Sequence, residues 1–161
     1  LRGTQLIEAS AGTGKTYTIT TIVLRLLLEA ELTVDQIVVV TFTRAATSEL
    51  RDRIRSRIAS AAAVFEEVLA GAAPDIARDA VLESLARSQR PDRALRRLRR
   101  ALRDLDRAAI FTIHGFAQRM LQQHAFESGA RFDVELVGEQ RPLVTEVAHD
   151  FWAKEIATSD S

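Results

Sequence analysis

Ala9-Ser10-Ala11-Gly12-Thr13-Gly14-Lys15-Thr16 is the stretch on which the reading of this chain turns. It follows the apolar pair Leu6-Ile7 and opens a long apolar-periodic segment. A glycine-containing turn between a strand and a helix, closed by Lys-Thr, is a phosphate cradle. Its backbone N–H groups converge on phosphate oxygens, and the N-terminus of the following helix adds the positive end of a dipole. The candidate phosphate-binding set is Ser10, Ala11, Gly12, Thr13, Gly14, Lys15, Thr16 and Tyr17. Lys15 would sit on the β- and γ-phosphates, and Thr16 would give its hydroxyl to Mg²⁺.

The rest of the composition makes Lys15 stand out. The chain has 20 arginines and two lysines, Lys15 and Lys154. A compact ammonium fits inside a ring of amides, whereas a planar guanidinium suits forked or stacked contacts. One position departs from G-x-x-x-x-G-K-[ST]: Ala9 stands where the first Gly is usual. Ala is accommodated there at negative φ.

Around the cradle the pattern is that of an α/β protein. Gln5-Leu6-Ile7-Glu8-Ala9 reads as a short buried strand. Residues 16–31 read as the helix after it, with Ile19, Ile22, Val23, Leu26 and Leu27 on one face. Ile37-Val38-Val39-Val40-Thr41-Phe42 is continuous and β-branched, which suits a parallel strand covered on both faces. Thr43 can cap the next helix, along which Leu50, Ile54 and Ile58 recur every four residues and Glu49 can pair with Arg53.

The helical pattern then continues over residues 60–69, stops at Gly71 and Pro74, and resumes over 75–87. Pro91 belongs in the first turn of a third helix reaching about residue 107, with Leu95, Leu98, Leu102 and Leu105 as its apolar stripe. Strand character returns over 108–113. A helix over 114–126 follows, with Phe116, Met120 and Leu121 turned inward. Phe132-Asp133-Val134-Glu135-Leu136-Val137 alternates like a half-exposed strand. Residues 139–156 read as helix, with Phe151 and Trp152 as packing anchors. The expected division is a motor core over 1–58, a helical insert over 59–107, a return to the core over 108–127, and the opening of an accessory subdomain over 128–161.

Bulk properties narrow the class. The chain has 161 residues, 47% apolar and 27% charged, the profile of an ordinary globular protein. No apolar run approaches the ~20 residues of a membrane span, so no membrane partner is expected. No leader is visible. The absence of cysteine excludes disulfides and Cys-based zinc sites and fits a cytoplasmic protein. Net charge is zero, so any nucleic-acid partner must be met by local patches. Arg is concentrated in residues 44–58 and again in 90–107. The second run reads either as a DNA-tracking surface or as a solvated face balanced by Asp104 and Asp106.

Two further clusters sit at predicted strand ends, where ligands collect in open α/β sheets. Thr41-Phe42-Thr43-Arg44-Ala45-Ala46 combines hydroxyls, a ring and a guanidinium at a helix start. Phe42 and Thr43 could contact a sugar–phosphate strand, or could be a core residue and a cap. Thr112-Ile113-His114-Gly115-Phe116 is the other. Its His114 could touch a ligand or serve structure only, and Gly115 allows a close approach.

Taken in order, the Ala9–Thr16 turn, Thr-Phe-Thr-Arg-Ala-Ala-Thr-Ser-Glu-Leu-Arg-Asp-Arg-Ile from residue 41 and Phe-Thr-Ile-His-Gly-Phe from residue 111 resemble the superfamily 1 helicases of the UvrD/Rep type. The resemblance implies a P-loop NTPase (RecA-like) parallel sheet, incomplete here, with an all-helical insert. It implies ATP with Mg²⁺ on the cradle, with Lys15 and Thr16 the catalytic residues of that motif. It places single-stranded DNA on Phe42, Thr43 and Arg44, and on Thr112 and His114. A parent protein of this kind would unwind duplex DNA from an end, 3′ to 5′, with partner subunits in a helicase–nuclease of double-strand-break repair.

Parts needed for turnover are not in the sequence. ATP hydrolysis needs an acidic pair closing an apolar strand, and no Asp-Glu dipeptide occurs. Glu66-Glu67 follows Val64-Phe65 in a helical pattern. A glutamine motif for adenine would lie before Leu1, Gln5 being too close to the turn. The chain is therefore expected to be an N-terminal fragment that does not turn over ATP alone. Two other readings remain: a small P-loop nucleoside or metabolite kinase, and a non-catalytic assembly piece whose helical insert binds a partner.

Overall fold

The computed structural model describes residues 3–8, 14–73, 79–124, 141–152 and 154. In chain order the elements are α1 (Lys15–Leu28), β1 (Val38–Thr41), α2 (Arg44–Leu69), α3 (Ala80–Ser88), α4 (Pro91–Arg103), β2 (Ala109–Thr112), α5 (Ile113–Gln123) and α6 (Arg141–Phe151). Single 3₁₀ turns lie at Val34–Gln36 and Leu105–Arg107. The chain forms two units, Leu1–Arg119 and Met120–Ser161.

In the first unit β1 and β2 pair in parallel, from Val38 opposite Ala109 to Thr41 opposite Thr112. The in-register pairing puts the carboxyl ends of both strands side by side. Between them come α2, α3 and α4, and α2 packs along both α1 and α4. The core follows α2: Leu50, Ile54, Ile58, Ala61, Ala62 and Phe65 are its buried face. Leu24 and Leu27 of α1, Leu85 of α3, Leu98 of α4 and Leu105 complete the contact. Four-residue spacing along α2 keeps this stripe facing its neighbours over the whole helix.

Local chemistry fixes the boundaries. Thr43 is extended (φ −123°) and its Oγ1 accepts from the Ala46 N–H at 3.1 Å, so α2 starts with a side-chain cap. Pro91 opens α4, where its missing N–H costs no intrahelical bond. Arg97 Nε donates to the Leu27 carbonyl at 3.0 Å, satisfying a free acceptor at the end of α1. Four other arginines of α4 are matched by acids. Arg93 pairs with Glu31 at 2.8 Å, Arg96 with Asp92 at 3.1 Å, Arg99 with Glu66 at 2.8 Å and Arg100 with Asp104 at 3.4 Å. Asp106 pairs with Arg55 of α2 at 3.2 Å. The Arg-rich run is therefore a balanced face that also docks α4 on α1 and α2.

Several expectations need correction. Residues 4–8 form no strand and are exposed, Leu6 most of all. A strand needs ladder partners, and among the described residues the sheet has two strands, β1 and β2. β1 is covered on one side only, for Val38 and Val40 are exposed while Val39 packs against the core. The buried stripe of α1 is rotated from the expected one and runs through Thr20, Thr21, Val23, Leu24, Leu27 and Leu28, leaving Ile19 exposed. Two threonines can be buried there because Thr20 Oγ1 donates to the Tyr17 carbonyl at 3.0 Å and Thr21 Oγ1 accepts from Arg57 at 3.4 Å. Leu121 is exposed rather than inward, and Phe151 and Trp152 are exposed rather than anchoring. In keeping with the continuing helical pattern of residues 60–69, α2 runs on past residue 58 to Leu69. The expected strand at 132–137 and the residues around Pro74 lie outside the described residues.

α3 is joined to the rest by Asp79, its N-cap, whose Oδ1 accepts from the Leu82 N–H at 3.0 Å. Asp79 also pairs with Arg57 of α2. The hydrogen bond from Arg57 holds the Asp79 carboxyl at about 2, below its ordinary 3.8, against the opposing effect of burial. The folded chain therefore binds this proton more weakly than the unfolded one. The resulting stabilisation, about 2 kcal/mol, is complete above about pH 4 and is lost as pH falls from there toward 2. The urea-unfolding difference between the chain and Asp79→Asn should accordingly narrow between about pH 4 and about pH 2. Phe65 has no exposed surface, so Phe65→Ala should cost about 3–5 kcal/mol in the same measurement, and Leu121→Ala less than about 1.

Candidate functional site

The described part of the glycine turn is its exit. Gly14 is left-handed, φ 87° and ψ 20°, and α1 begins at the next residue. A Cβ at Gly14 would meet nothing within 4 Å, so glycine is required for the backbone angle and not for space. The first intrahelical bond runs from the Thr18 N–H to the Gly14 carbonyl at 2.9 Å. The amides of Lys15, Thr16 and Tyr17 precede it and have no helical acceptor. No side chain caps this end, and no acid lies in the first turn. Lys15 and Thr16 are exposed, and Lys15 forms no ion pair among the described residues. An uncapped helix start with an unneutralised ammonium suits an anion. Ser10, Ala11, Gly12 and Thr13 lie outside the described residues.

The end of β1 is shaped by three threonines. Thr41 Oγ1 and Thr47 Oγ1 lie 2.6 Å apart, one donating to the other, and the Thr43 carbonyl, 3.1 and 2.9 Å from them, accepts from the hydroxyl whose proton remains. This closes the turn into α2 with its own hydroxyls and turns Phe42 outward, 85% exposed. Phe42 is therefore not a core residue. Thr43 is a cap, as its type and place suggested. Thr112 plays the matching part at the end of β2, where its Oγ1 accepts from the Gly115 N–H at 3.1 Å. A Cβ at Gly115 would lie 3.2 Å from that same oxygen, which explains the glycine.

Between the first two turns of α2 and the end of β2 lies a cleft of about 400 Å³ lined by Arg44, Thr47, Ser48, Arg51, Phe111, Thr112 and neighbouring residues. Arg44 and Thr112 are brought together in it. Phe42, Thr43 and His114 do not line it, although Phe42 and His114 are exposed near the two strand ends. Arg44 and Arg51 have no ion pair among the described residues. Beside the cleft the Arg119 guanidinium lies 5.3 Å from the centre of the Phe111 ring. Thr47, Ser48 and Arg51 escaped the sequence reading, yet they share the helix face of Arg44 at spacings of three, four and seven. Among the described residues no group of three His, Cys, Asp or Glu is placed to hold a metal ion, and no helix is long and apolar enough to cross a membrane.

The sequence of residues 1–160 matches the UvrD/REP helicase N-terminal domain. The chain belongs to that family. It is 45% identical over 157 residues to the RecBCD enzyme subunit RecB of Haemophilus influenzae, and 43% identical over 163 residues to that of Escherichia coli. The match takes in 91% and 96% of this chain respectively. RecB of Mycobacterium tuberculosis is 39% identical over 149 residues. The chain spans 13% of the length of each of these relatives. A UvrD/REP N-terminal domain with a parallel strand pair is a mixed α/β unit. The kinase alternative finds no support in these matches.

Thr43 gives this family member a test of its local architecture. Thr43→Ala removes the cap of α2 and should cost about 1 kcal/mol in urea unfolding, with Thr43→Ser restoring most of it.

Proposed function

We propose that this chain is the N-terminal part of an ATP-dependent 3′–5′ DNA helicase subunit, of the RecB kind, acting in a helicase–nuclease of double-strand-break repair. The observation that carries this is the pairing of two features within one UvrD/REP domain. One is an uncapped, unneutralised helix start at Gly14-Lys15-Thr16. The other is a cleft between the start of α2 and the end of β2, with three hydroxyl-bearing residues and two arginines that have no ion pair among the described residues.

Ser10, Ala11, Gly12, Thr13, Gly14, Lys15, Thr16 and Tyr17 would hold ATP. Lys15 would meet the β- and γ-phosphates, and Thr16 would contribute its hydroxyl to Mg²⁺. Bound there, the nucleotide supplies the free energy of its hydrolysis to movement along DNA. The P-loop NTPase sheet is the fold this reading requires, and β1 and β2 would be two of its strands. No Asp-Glu dipeptide occurs in the chain, so it should bind the nucleotide without turning it over.

Single-stranded DNA would lie across the strand ends. Arg44 and Arg51 would meet phosphates, the hydroxyls of Thr47, Ser48 and Thr112 would orient the backbone, and Phe42 would stack on a base. His114 would lie beside the same path, and Thr43 would act by holding the turn into α2. The parent protein would work from duplex ends with RecC- and RecD-like subunits in the cytoplasm. The division into motor core, helical insert and accessory subdomain belongs to the same proposal.

Equilibrium binding of a fluorescent ATP analogue with Mg²⁺, and of a labelled oligonucleotide, tests both halves. Lys15→Ala should abolish the first and leave the second. Phe42→Ala should weaken DNA binding by about 1–3 kcal/mol at every sequence. Arg51→Ala should reduce the slope of log affinity against log salt by about 1. An Arg51 variant with an unaltered slope removes that residue from the DNA path, and a chain that ignores DNA altogether defeats the proposal.

A further inference from the structure

The first turn of α1 is anchored from outside the helix. Tyr17, next to Thr16, donates its hydroxyl to Asp79 Oδ1 at 3.0 Å. Its ring lies beneath the guanidinium of Arg57, 5.1 Å from the ring centre. Arg57 pairs with Asp79 and donates to Thr21 Oγ1 at 3.4 Å. Asp79 in turn caps α3 through the Leu82 N–H. Three helices thus meet on one polar cluster: α1 just after the cradle, the middle of α2, and the start of α3. The charged pair is largely shielded, with 13% of the Arg57 side chain and 18% of the Asp79 side chain exposed. Arg57 Nε is buried with no hydrogen-bond partner among the described residues.

Stability alone is a poor reason for this arrangement. An apolar contact of similar volume would join the same helices without desolvating an ion pair or leaving a donor unmatched. What the polar cluster adds is direction. A hydroxyl–carboxylate bond and a cation over a ring hold Tyr17 in one orientation. Tyr17 also contributes one of the three amides that precede the first intrahelical bond of α1. It is therefore part of the cradle through its backbone and part of the cluster through its side chain.

We infer that Asp79 and Arg57 are positioning residues for the nucleotide site, which act through Tyr17 to aim the amides of α1 and which carry nucleotide occupancy to the start of α3. The inference rests on the reading of residues 10–17 as a triphosphate cradle. Coupling of this kind is reciprocal: what α3 does for the cradle, the nucleotide does for α3.

The test uses the full chain with Mg²⁺ and a fluorescent ATP analogue. Tyr17→Phe keeps the ring and removes only the hydroxyl, and Asp79→Asn removes the carboxylate charge. Each should weaken the analogue's affinity by roughly fivefold or more, and the double variant should be no weaker than the weaker single one. In the unmodified chain the amides of residues 80–83 should gain hydrogen-exchange protection when the analogue binds, and in Tyr17→Phe they should not. A merely structural cluster would lower the unfolding temperature and move neither readout. Because Asp79→Asn can loosen the fold, Tyr17→Phe decides. Unchanged affinity and unchanged exchange response in Tyr17→Phe overturn the inference while Lys15→Ala still abolishes binding. If the unmodified chain binds no analogue, or Lys15→Ala binds it equally well, the cradle reading fails and the inference falls with it.

Discussion

One helix face organises the Leu1–Arg119 unit. Leu50, Ile54, Ile58, Ala61, Ala62 and Phe65 of α2 form a buried stripe against which α1, α3, α4 and the strand pair all come to rest. At about 1.5 Å per residue, the 26 residues of α2 make a rod about 39 Å long, and each part of it does a different thing. Its first two turns wall the cleft at the strand ends. Its middle carries Arg57 to the start of α1. Its last turns bring Glu66 to Arg99 of α4. The candidate cleft is therefore built on α2 itself, and the start of α1 is tied to the same helix through the Arg57–Tyr17 contact.

That dependence explains what could be read in advance. The apolar stripe of α2, the Thr43 cap, the Glu49–Arg53 pair and the Pro91 start are contacts within a few residues along the chain, and spacing alone reveals them. The rotated stripe of α1 was not legible, because burying Thr20 and Thr21 depends on acceptors and donors that only the fold supplies, including Arg57 from 36 residues away. The same holds for the one-sided cover of β1: a run of three valines announces a buried strand, and only the placement of the helices shows that Val38 and Val40 stay exposed.

The candidate DNA site shows a similar divide. Phe42 could be either core or contact from its spacing, and the turn closed by the Thr41 and Thr47 hydroxyls and the Thr43 carbonyl leaves its ring 85% exposed. Arg44 was singled out because it adjoins the strand. Arg51 lies seven residues further along, and only the helix brings it to the same face two turns later. The Tyr17–Asp79 contact, 62 residues apart in sequence, had no local signal at all.

The distribution of positive charge separates support from function more sharply than the number of arginines does. Along α4 nearly every guanidinium meets an acid or a helix carbonyl, so its field is cancelled close to the surface and the run that looked most like a nucleic-acid track offers little to a phosphate. Exposed pairs of this sort contribute little each to stability, but they fix which helix lies on which. At Lys15, Arg44 and Arg51 the opposite holds: among the described residues no acid stands opposite, and each lies beside backbone amides or hydroxyls that can also bind an anion. An unpaired cation at a surface costs the fold almost nothing and keeps its field for a ligand. Two such places on one helix-braced unit, each suited to an anion, are what the proposed coupling of a nucleotide to DNA would require.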